Sequence, residues 1–429
     1  MIIVMTGTAI AQVIGFMLMP VISRLFTPSD FGIFGSFNAV VGVIAAGITL
    51  EYEQAIMLPK EKNDAFHLFI ISCMATLIVS FLCLLACLTA PVYLMALIKA
   101  PGIWGLVLLV FSVFITGSNI VLQAWCVRAK AFKYTSASQV IRSLSSNSMQ
   151  VGFGFFKIGP IGLIMSNVLA DLIASINLFR VFYRDVMQAA PEINWIRIKQ
   201  LAKEYRDFPI YSASQNVINA MSSGIPVLLL THFFGIAVAG GYAFGIRLLF
   251  TPMGLLTRAL RQVLFQKAGE TQHHGGSLLS LYTKVTVGLF AVGIFPALII
   301  IIWSPQIFSL IFGTQWYTAG EYARSLMIWV LFVFCNVPAI LFARLIRIQR
   351  TVFFYDLILL IARVSVLVIS GLYLTALQSI TLFSLLSAIM NLILIFLVGY
   401  NVMKKECDIT WKNFRNTLLA NTTENSRCA

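Results

Sequence analysis

Charged residues are scarce in this sequence. Only 11% of its 429 residues are Asp, Glu, Lys or Arg, whereas 59% are hydrophobic. A soluble domain carries about 25% charged residues, so a chain this apolar cannot cover a surface that faces water. The shortage of charge therefore excludes an ordinary soluble protein and indicates an integral membrane protein.

Acidic residues are rarer than basic ones, and the formal net charge is +14. Such an excess is compatible with either nucleic acid or acidic lipid as a partner. The basic residues cluster between the apolar runs, and this placement favours membrane topology. We therefore expect membrane lipids, and no nucleic acid, as partners.

The sequence also lacks the motifs that carry catalytic and metal chemistry. It contains no GxxxxGK[ST] loop for ATP hydrolysis, no HExxH pair and no other cluster with metal-ligand spacing. Its seven cysteines form no CxxC pair, and we interpret them as small apolar fillers. No external loop is long enough to fold as a catalytic domain. We expect no enzymatic activity, no metal and no cofactor.

Long apolar runs, in contrast, are abundant. Runs of about 20 residues, the length that crosses a bilayer as a helix, recur along the whole chain. Helices are the expected spanning element because lipid cannot satisfy an open backbone. The sequence therefore predicts an all-α membrane protein with about twelve transmembrane helices. The predicted spans lie near residues 3–26, 31–58, 65–90, 103–127, 135–156, 161–183, 210–234, 240–263, 278–302, 321–345, 353–374 and 380–403.

Lysine and arginine are concentrated in alternate connections between these spans. The connections with few basic residues contain only Arg24, Lys99, Lys157 and Arg324, and the other connections hold nearly all the remaining Lys and Arg. By the positive-inside rule, the rich connections and both termini are cytoplasmic.

The longest basic connection divides the chain near its middle. We predict an N-terminal six-helix bundle over 1–183, a cytoplasmic amphipathic linker over 184–209, a C-terminal six-helix bundle over 210–403 and a cytoplasmic tail over 404–429. Within the linker, apolar residues including Ile198 and Leu201 share one helical face. That face suits either an anionic lipid surface or the protein's own cytoplasmic face, and the sequence leaves both alternatives open.

A faint internal repeat relates the two halves. The segment RLFTPSDFGIF (24–34) aligns with HFFGIAVAGGY (232–242), so that Gly32 matches Gly240 and Phe34 matches Tyr242. Each half contains six spans, an even number, so both halves enter the membrane in the same sense. The pattern predicts parallel repeats related by a pseudo-two-fold axis along the membrane normal, as in several transporter folds.

Polar residues form stripes at membrane depth. Ser138, Gln139, Arg142, Ser146 and Gln150 recur at helical spacing in the fifth span, and the seventh span has a similar Ser/Asn/Gln stripe. A charged residue at a helix centre costs about 2.5–3.5 kcal/mol on insertion scales, so these residues should face a bundle interior or a wet cavity.

Two interpretations of the stripes remain open. The polar groups could pair internally as packing contacts, for example Arg142 with Asp171. Alternatively, they line a water-filled cavity with excess positive charge, and we favour this interpretation because deep arginines outnumber the deep acid. An arginine fork suits a phosphate or pyrophosphate, which it can bind through two hydrogen bonds.

Several segments resemble a known family. GTAIAQVIGFMLMPVISRLFTPSDFGIFGSF, LEYEQAIMLPKEKNDAFHL, KEYRDFPIYSASQNVINAMSSGIPVLLL and GGYAFGIRLLFTPMGLL are similar to segments of bacterial polysaccharide-biosynthesis membrane proteins. These are the oligosaccharide (O-antigen type) flippases of the multidrug/oligosaccharidyl-lipid/polysaccharide exporter (MOP) superfamily. The resemblance implies two six-helix bundles around a V-shaped central cavity. It also implies that an undecaprenyl-pyrophosphate-linked oligosaccharide moves from the inner to the outer leaflet of the cytoplasmic membrane.

The resulting hypothesis is a flippase that works by alternating access in the synthesis of a surface polysaccharide. A polysaccharide polymerase and a chain-length regulator are its expected protein partners. The candidate substrate-binding residues are Arg142, Arg247, Arg363, Gln139, Ser146, Gln215, Asn219 and Arg24, and the candidate ion-coupling residues are Glu51 and Asp171. Arg24 lies about one helical turn from the TPSD turn, so snorkelling to headgroups explains it better than substrate contact.

Two other functions compete with this hypothesis. A drug/cation antiporter of the same superfamily would need an acidic cavity, whereas the deep charges here are mainly basic. A membrane-embedded polysaccharide polymerase or glycosyltransferase would need a large hydrophilic loop or a carboxylate cluster beside a metal, and neither pattern is present in the sequence.

Overall fold

The computed structural model describes residues 2–99, 102–189, 192–273 and 276–425. Over these ranges the chain is helical and contains no β-strand. In the first half, the helices are α1 (Ile2–Leu25), α2 (Pro28–Ala45), α3 (Tyr52–Ala55), α4 (Lys62–Thr89), α5 (Pro91–Ile98), α6 (Gly102–Arg128), α7 (Phe132–Phe155), α8 (Pro160–Ala189) and α9 (Trp195–Glu204).

The second half has a similar order of long helices. A π-helical turn over Phe208–Ala213 leads directly into the first of them. The helices are α10 (Ser214–Phe234), α11 (Ile236–His273), α12 (Leu278–Phe312), α13 (Tyr317–Cys335), α14 (Val337–Leu345), α15 (Gln349–Tyr373) and α16 (Ala376–Asn425), with a 3₁₀ turn at Thr314–Trp316 before α13.

The predicted all-α membrane fold is confirmed. Within the described residues, ten helical segments are long and apolar enough to cross a bilayer. Helices α1 and α7 occupy the other two predicted spans. In α1, the stretch Gln12–Leu25 is a shorter apolar helix. Helix α7 is not among the ten because its polar stripe lowers its hydropathy. The chain is therefore a multi-pass membrane protein.

Two predicted spans are broken in the structure. The second, predicted over 31–58, ends as a helix at Ala45, and Leu50 and Glu51 then adopt positive φ angles of 53° and 61°. The tenth, predicted over 321–345, divides into α13 and α14 at Asn336, just before Pro338. Pro338 has no backbone N–H to donate and so removes one helical hydrogen bond at the second break. Hydropathy alone could not reveal either break.

The TPSD turn is a helix cap. The Thr27 backbone N–H donates to Asp30 Oδ2 at 2.8 Å, and the Asp30 N–H donates to Thr27 Oγ1 at 3.2 Å. This reciprocal capping box, with Pro28 at the first helical position, starts α2 sharply after α1. We call this end of the bundle the hairpin end, and the opposite end, where the Lys/Arg-rich connections lie, the basic end.

The two halves cross most closely at Gly32 of α2 and Gly240 of α11. A Cβ atom at Gly32 would overlap the Ile236 carbonyl oxygen, and one at Gly240 would overlap the Pro28 carbonyl oxygen. Pro28 and Ile236 occupy matching positions in the internal repeat, so the two contacts are related by the pseudo-two-fold symmetry. The crossing therefore needs glycine in both halves, and it confirms that the weak sequence repeat is structural.

Aromatic side chains pack beside this crossing. Phe31 meets both Phe244 and Trp316 edge to face, with ring centroids 5.1 and 5.2 Å apart. Trp316 also donates its indole N–H to the Ser23 carbonyl at 2.8 Å. These contacts join α1, α2, α11 and the 3₁₀ turn, so the two halves are closed against each other at the hairpin end.

At the basic end, the linker helix α9 packs on the first half. Ile198 and Leu201 are buried against the α4 side of the bundle. Arg197 forms a bidentate ion pair with Asp64, with N···O distances of 2.9 and 2.6 Å. Tyr52 donates its hydroxyl to the Ala202 carbonyl at 2.9 Å. Of the two alternatives for the apolar face, the contacts support packing on the protein itself.

The close approach of α2 and α11 at Gly32 and Gly240, which we call the glycine crossing, leads to a prediction about stability. Gly240→Ala places a methyl group where the Pro28 carbonyl lies, so α2 and α11 must separate. We expect the free energy of unfolding to fall by about 1–3 kcal/mol, as for other overpacked interiors. Thermal unfolding of the purified protein in detergent measures the change.

Gly42→Ala is the matched control, because a Cβ at Gly42 meets no atom within 4 Å. This variant should be as stable as the wild type or slightly more stable, since alanine favours helix. Equal midpoints for Gly240→Ala and the wild type would contradict the close crossing.

Candidate functional site

A polar cavity of about 400 Å³, which we call the main cavity, lies inside the first half. Helices α1, α6, α7 and α8 form most of its wall, and Arg247 of α11 reaches it from the second half. Its lining residues are Gln12, Asn119, Gln123, Ser138, Gln139, Arg142, Ser143, Ser146, Asn147, Asn167, Ala174 and Arg247. Nearly all of these side chains are polar, so the cavity can hold water or a polar ligand.

The polar stripe of α7 packs against α8, and several hydrogen bonds hold it there. Ser138 donates to the Ala174 carbonyl at 2.9 Å, and Ser146 donates to Asn167 Oδ1 at 2.7 Å. Gln150 donates to Ser146 Oγ at 3.2 Å. The helical spacing of the stripe puts these groups on one face. All three serve as packing contacts, and Ser138 and Ser146 also line the cavity, so the two interpretations of the stripe describe overlapping surfaces.

Arg142 and Asp171 form a bidentate ion pair at the edge of the cavity. The Arg142 Nη2 to Asp171 Oδ2 distance is 3.1 Å, and Nε is bonded to Oδ1. The Arg142 side chain is 54% exposed, whereas that of Asp171 is 12% exposed. Asp171 is thus fixed inside the bundle, while the other side of the Arg142 guanidinium faces the cavity.

Arg247 differs from Arg142 in having no compensating group. Within the described part of the chain, no side chain forms an ion pair with Arg247 or accepts a hydrogen bond from it. Its carbonyl accepts from Thr251 at 2.6 Å, which is a contact within the helix. Since a partnered Arg142–Asp171 pair is neutral, the charge that remains in the main cavity is positive and comes from Arg247.

A second cavity, of about 370 Å³, lies within the second half. Gln215 and Asn219 of α10 line it, and Gln215 donates to Asp356 Oδ2 at 3.3 Å. Its lining is more apolar than that of the main cavity, with Phe250 and Trp329 among the residues.

Arg363 borders this second cavity but is only 6% exposed. Its guanidinium donates to Ser222 Oγ at 2.8 Å and to Ser387 Oγ at 3.0 Å. The guanidinium carbon also lies 4.8 Å from the Trp329 ring centroid. Hydroxyls and an aromatic face thus replace water around the charge. In this conformation Arg363 holds α10, α13 and α16 together.

The predicted site residues therefore fall into separate groups. Gln139, Arg142, Ser146 and Arg247 share the main cavity, and Gln215, Asn219 and Arg363 share the second cavity. Arg24 is exposed at the hairpin end and lines neither cavity. Their roles in binding stay predictions.

Glu51, one of the two ion-coupling candidates, lies in neither cavity. It is buried at the basic end, where Asn216 of α10 donates to its Oε1 at 2.6 Å and Gln54 donates to its Oε2. This contact joins the first half to the second half. Asp171, the other candidate, is the partner of Arg142.

Several residues of the main cavity were missed by the sequence analysis. Asn119 and Gln123 are four residues apart on α6, and Asn119 donates to Ser175 Oγ at 2.9 Å. Asn167 lies four residues before Asp171 on α8. Each pair has the same helical spacing as the α7 stripe, so a search for short polar stripes would have found them.

The described residues contain no group of three or more His, Cys, Asp or Glu side chains that could hold a metal ion. The main cavity instead presents amide and hydroxyl groups beside a guanidinium. Such groups can hydrogen-bond a polyhydroxylated ligand and can bind an anion.

The ion pair generates a second prediction. Arg142→Gln leaves the enclosed Asp171 carboxylate without its guanidinium, so we expect the free energy of unfolding to fall by about 1–3 kcal/mol. The double variant Arg142→Gln/Asp171→Asn removes the orphaned charge and should recover most of the loss. Thermal unfolding of the wild type, of the single variants Arg142→Gln and Asp171→Asn, and of the double variant forms a double-mutant cycle. Additive effects of the two substitutions would contradict a structural ion pair.

The profile of the family described as polysaccharide biosynthesis protein matches residues 21–321. Curated protein sequences contain no significant match. Similar solved structures include the lipid II flippase MurJ in an inward closed conformation, with a TM-score of 0.74 and 12% identity, covering 98% of this chain and 93% of that chain.

Two further structures have the same fold. An inward-facing multidrug resistance MATE family transporter of the MOP superfamily has a TM-score of 0.72 and 14% identity, covering 91% of this chain and 94% of that chain. A MOP superfamily transporter from Pyrococcus furiosus, described as having a binding pocket of reverse polarity, has a TM-score of 0.63 and 15% identity, covering 93% of this chain and 95% of that chain. The fold is thus that of MOP superfamily transporters, and because the family profile matches most of its length, this chain belongs to the polysaccharide biosynthesis protein family.

Proposed function

We propose that this protein is a flippase that moves undecaprenyl-pyrophosphate-linked oligosaccharide repeat units across the cytoplasmic membrane for surface polysaccharide synthesis. The observation that carries the proposal is the Arg247 guanidinium, which faces a polar cavity and has no described partner. A guanidinium at membrane depth is costly unless an anion or water satisfies it. A diphosphate offers the oxygen pairs that this planar group binds best.

The rest of the main cavity suits the sugar part of such a substrate. Gln139, Ser146, Asn119 and Gln123 supply amide and hydroxyl groups. These groups both donate and accept hydrogen bonds, as sugar hydroxyls require. A cationic drug would instead need an acidic cavity, and Asp171, the one carboxylate that the described residues place beside this cavity, is paired with Arg142. The lining therefore favours a lipid-linked glycan over a drug or other cation.

Arg142 is the second group that we assign to the diphosphate. One side of its guanidinium binds Asp171, and the exposed remainder faces the cavity. Asp171 thus orients Arg142 and lowers the net charge of the site. Arg363, Gln215 and Asn219 in the second cavity would join the site only in a conformation in which the two cavities meet. We propose no substrate contact for Arg24.

Alternating access requires the two halves to part at one end and close at the other. The glycine crossing closes the hairpin end, and the Glu51–Asn216 contact joins the halves at the basic end. We propose that protonation of Glu51, or cation binding to it, weakens this contact and so couples an ion to the movement. Asp171 is the second candidate, because its protonation would release Arg142.

We propose that both termini face the cytoplasm and that the hairpin end faces outward, as the distribution of Lys and Arg indicates. The two bundles then cover 1–183 and 210–403, joined by the linker 184–209. Helix α16 continues into the tail as far as Asn425, and residues 426–429 lie outside the described ranges. A polymerase and a chain-length regulator would receive the translocated units outside.

The proposal predicts the behaviour of Arg247 variants in cells. In a strain that lacks this gene and its paralogues, lipid-linked repeat units should accumulate on the inner leaflet. Arg247→Gln should lower the rate of their export at least about tenfold relative to wild type, because a charge-assisted hydrogen bond contributes about 1.5–3 kcal/mol. Arg247→Lys should retain part of the rate, since lysine keeps the charge but not the fork.

Arg324→Gln is the matched control for charge. Arg324 is exposed and donates to the Ile302 carbonyl at 3.0 Å, outside both cavities. We expect normal export by this variant at equal expression. Export by Arg247→Gln at the wild-type rate would remove Arg247 from the substrate site, and normal export in the deletion strain would refute the proposed function.

A further inference from the structure

A third polar cavity, of about 540 Å³, lies at the basic end of the first half, where α8 meets the turn between α6 and α7. We call it the α8 pocket. Its lining residues are Ala129, Ala131, Tyr134, Asn177, Arg180, Val181, Arg184 and Asp185. It shares no lining residue with the main cavity, and the proposed transport step does not use it.

Two arginines dominate the charge of this pocket. Arg180 and Arg184 are four residues apart on α8, so their side chains lie on the same face of the helix. Both are exposed, and within the described residues neither has an ion-pair or hydrogen-bond partner. Two guanidinium groups thus lie on one helical face, and no described carboxylate is paired with either of them.

The one carboxylate of the α8 pocket is already engaged. Asp185 Oδ1 lies 2.7 Å from Lys62 Nζ, and its Oδ2 accepts from the Trp125 indole N–H at 3.1 Å. Lys62 balances the charge of Asp185. The pocket therefore keeps the positive charge of both arginines.

The floor of the α8 pocket is a fixed turn. Lys130 adopts a left-handed φ of 55° between the small residues Ala129 and Ala131. Arg128 anchors this turn by donating to the Ile56 carbonyl at 2.6 Å and to the Glu61 carbonyl at 3.1 Å. The small side chains leave open space in front of Arg180 and Arg184, and the anchored backbone keeps it open.

The surface next to the α8 pocket is apolar. Ile176, Phe179 and Tyr183 of α8 are each about half exposed. They lie on the face adjacent to Arg180 and Arg184 by helical spacing. Exposed apolar residues face acyl chains in a membrane protein, and tyrosine marks the level of the headgroups. The pocket therefore opens at the membrane interface, next to lipid.

We propose that the α8 pocket binds the phosphodiester headgroup of an anionic phospholipid. Arg180 and Arg184 would bind the phosphate, and the acyl chains would lie along Ile176, Phe179 and Tyr183. Basic pockets between helices at a membrane surface suit such headgroups. The lining suits a glycan less well, because its neutral polar side chains are those of Tyr134 and Asn177, and the Asn177 amide already donates to the Tyr134 carbonyl at 3.2 Å.

Native mass spectrometry of the purified full-length protein tests this proposal. Phosphatidylglycerol and phosphatidylcholine are titrated separately, and we expect preferential retention of one phosphatidylglycerol. Arg180→Gln/Arg184→Gln should weaken its retention at least about tenfold, because both charge-assisted contacts are lost. Ala131→Trp, which fills the pocket and keeps both arginines, should have the same effect and guards against a misfolded double variant.

Lys199→Gln/Lys203→Gln is the matched control, because it removes the same charge from exposed positions of α9 outside the pocket. It should retain phosphatidylglycerol as the wild type does. Unchanged retention by both pocket variants, or an equal loss in the control, would overturn the proposal. Displacement of phosphatidylglycerol by a lower concentration of a lipid diphosphate would also overturn it. The measurement contains no transport step, so its result is independent of the proposed flippase activity.

Discussion

The close crossing of α2 and α11 is the contact on which the arrangement of the two halves depends. Gly32 and Gly240 let each helix backbone approach the other at matching positions of the internal repeat. In lipid, where no hydrophobic effect drives helices together, such close backbone packing is a main source of association. Because it holds the halves together at the hairpin end, the polar faces of α7 and α8 and the Arg247 side chain of α11 are kept beside one cavity.

The three deep arginines then differ in how their charge is satisfied. Asp171 neutralises Arg142, and hydroxyls and aromatic rings surround Arg363. Arg247 has neither kind of partner among the described residues. An uncompensated charge inside a membrane protein indicates function rather than packing. This difference makes Arg247 the first candidate for an anionic substrate group, with Arg142 beside it.

Much of the fold follows from sequence, because lipid imposes long apolar helices and the spacing of turn residues marks their ends. The internal repeat was also visible in the match of Gly32 with Gly240. The sequence could not rank Arg142, Arg247 and Arg363 as candidates for binding an anionic group. All three are arginines in apolar helices, and only their tertiary contacts distinguish them. Likewise, the break before Glu51 and the packing of Ile198 and Leu201 depend on neighbours that are distant in sequence.

The central claim is that the main cavity accepts a lipid diphosphate that carries a glycan. The most direct measurement uses vesicles that contain the purified full-length protein and a fluorescent lipid diphosphate oligosaccharide. A membrane-impermeant quencher reports how fast the labelled glycan changes leaflets. We expect protein-dependent movement that is lost when a neutral linkage replaces the diphosphate. Equal movement of the neutral lipid, or movement of neither lipid in vesicles with folded protein, would contradict the claim.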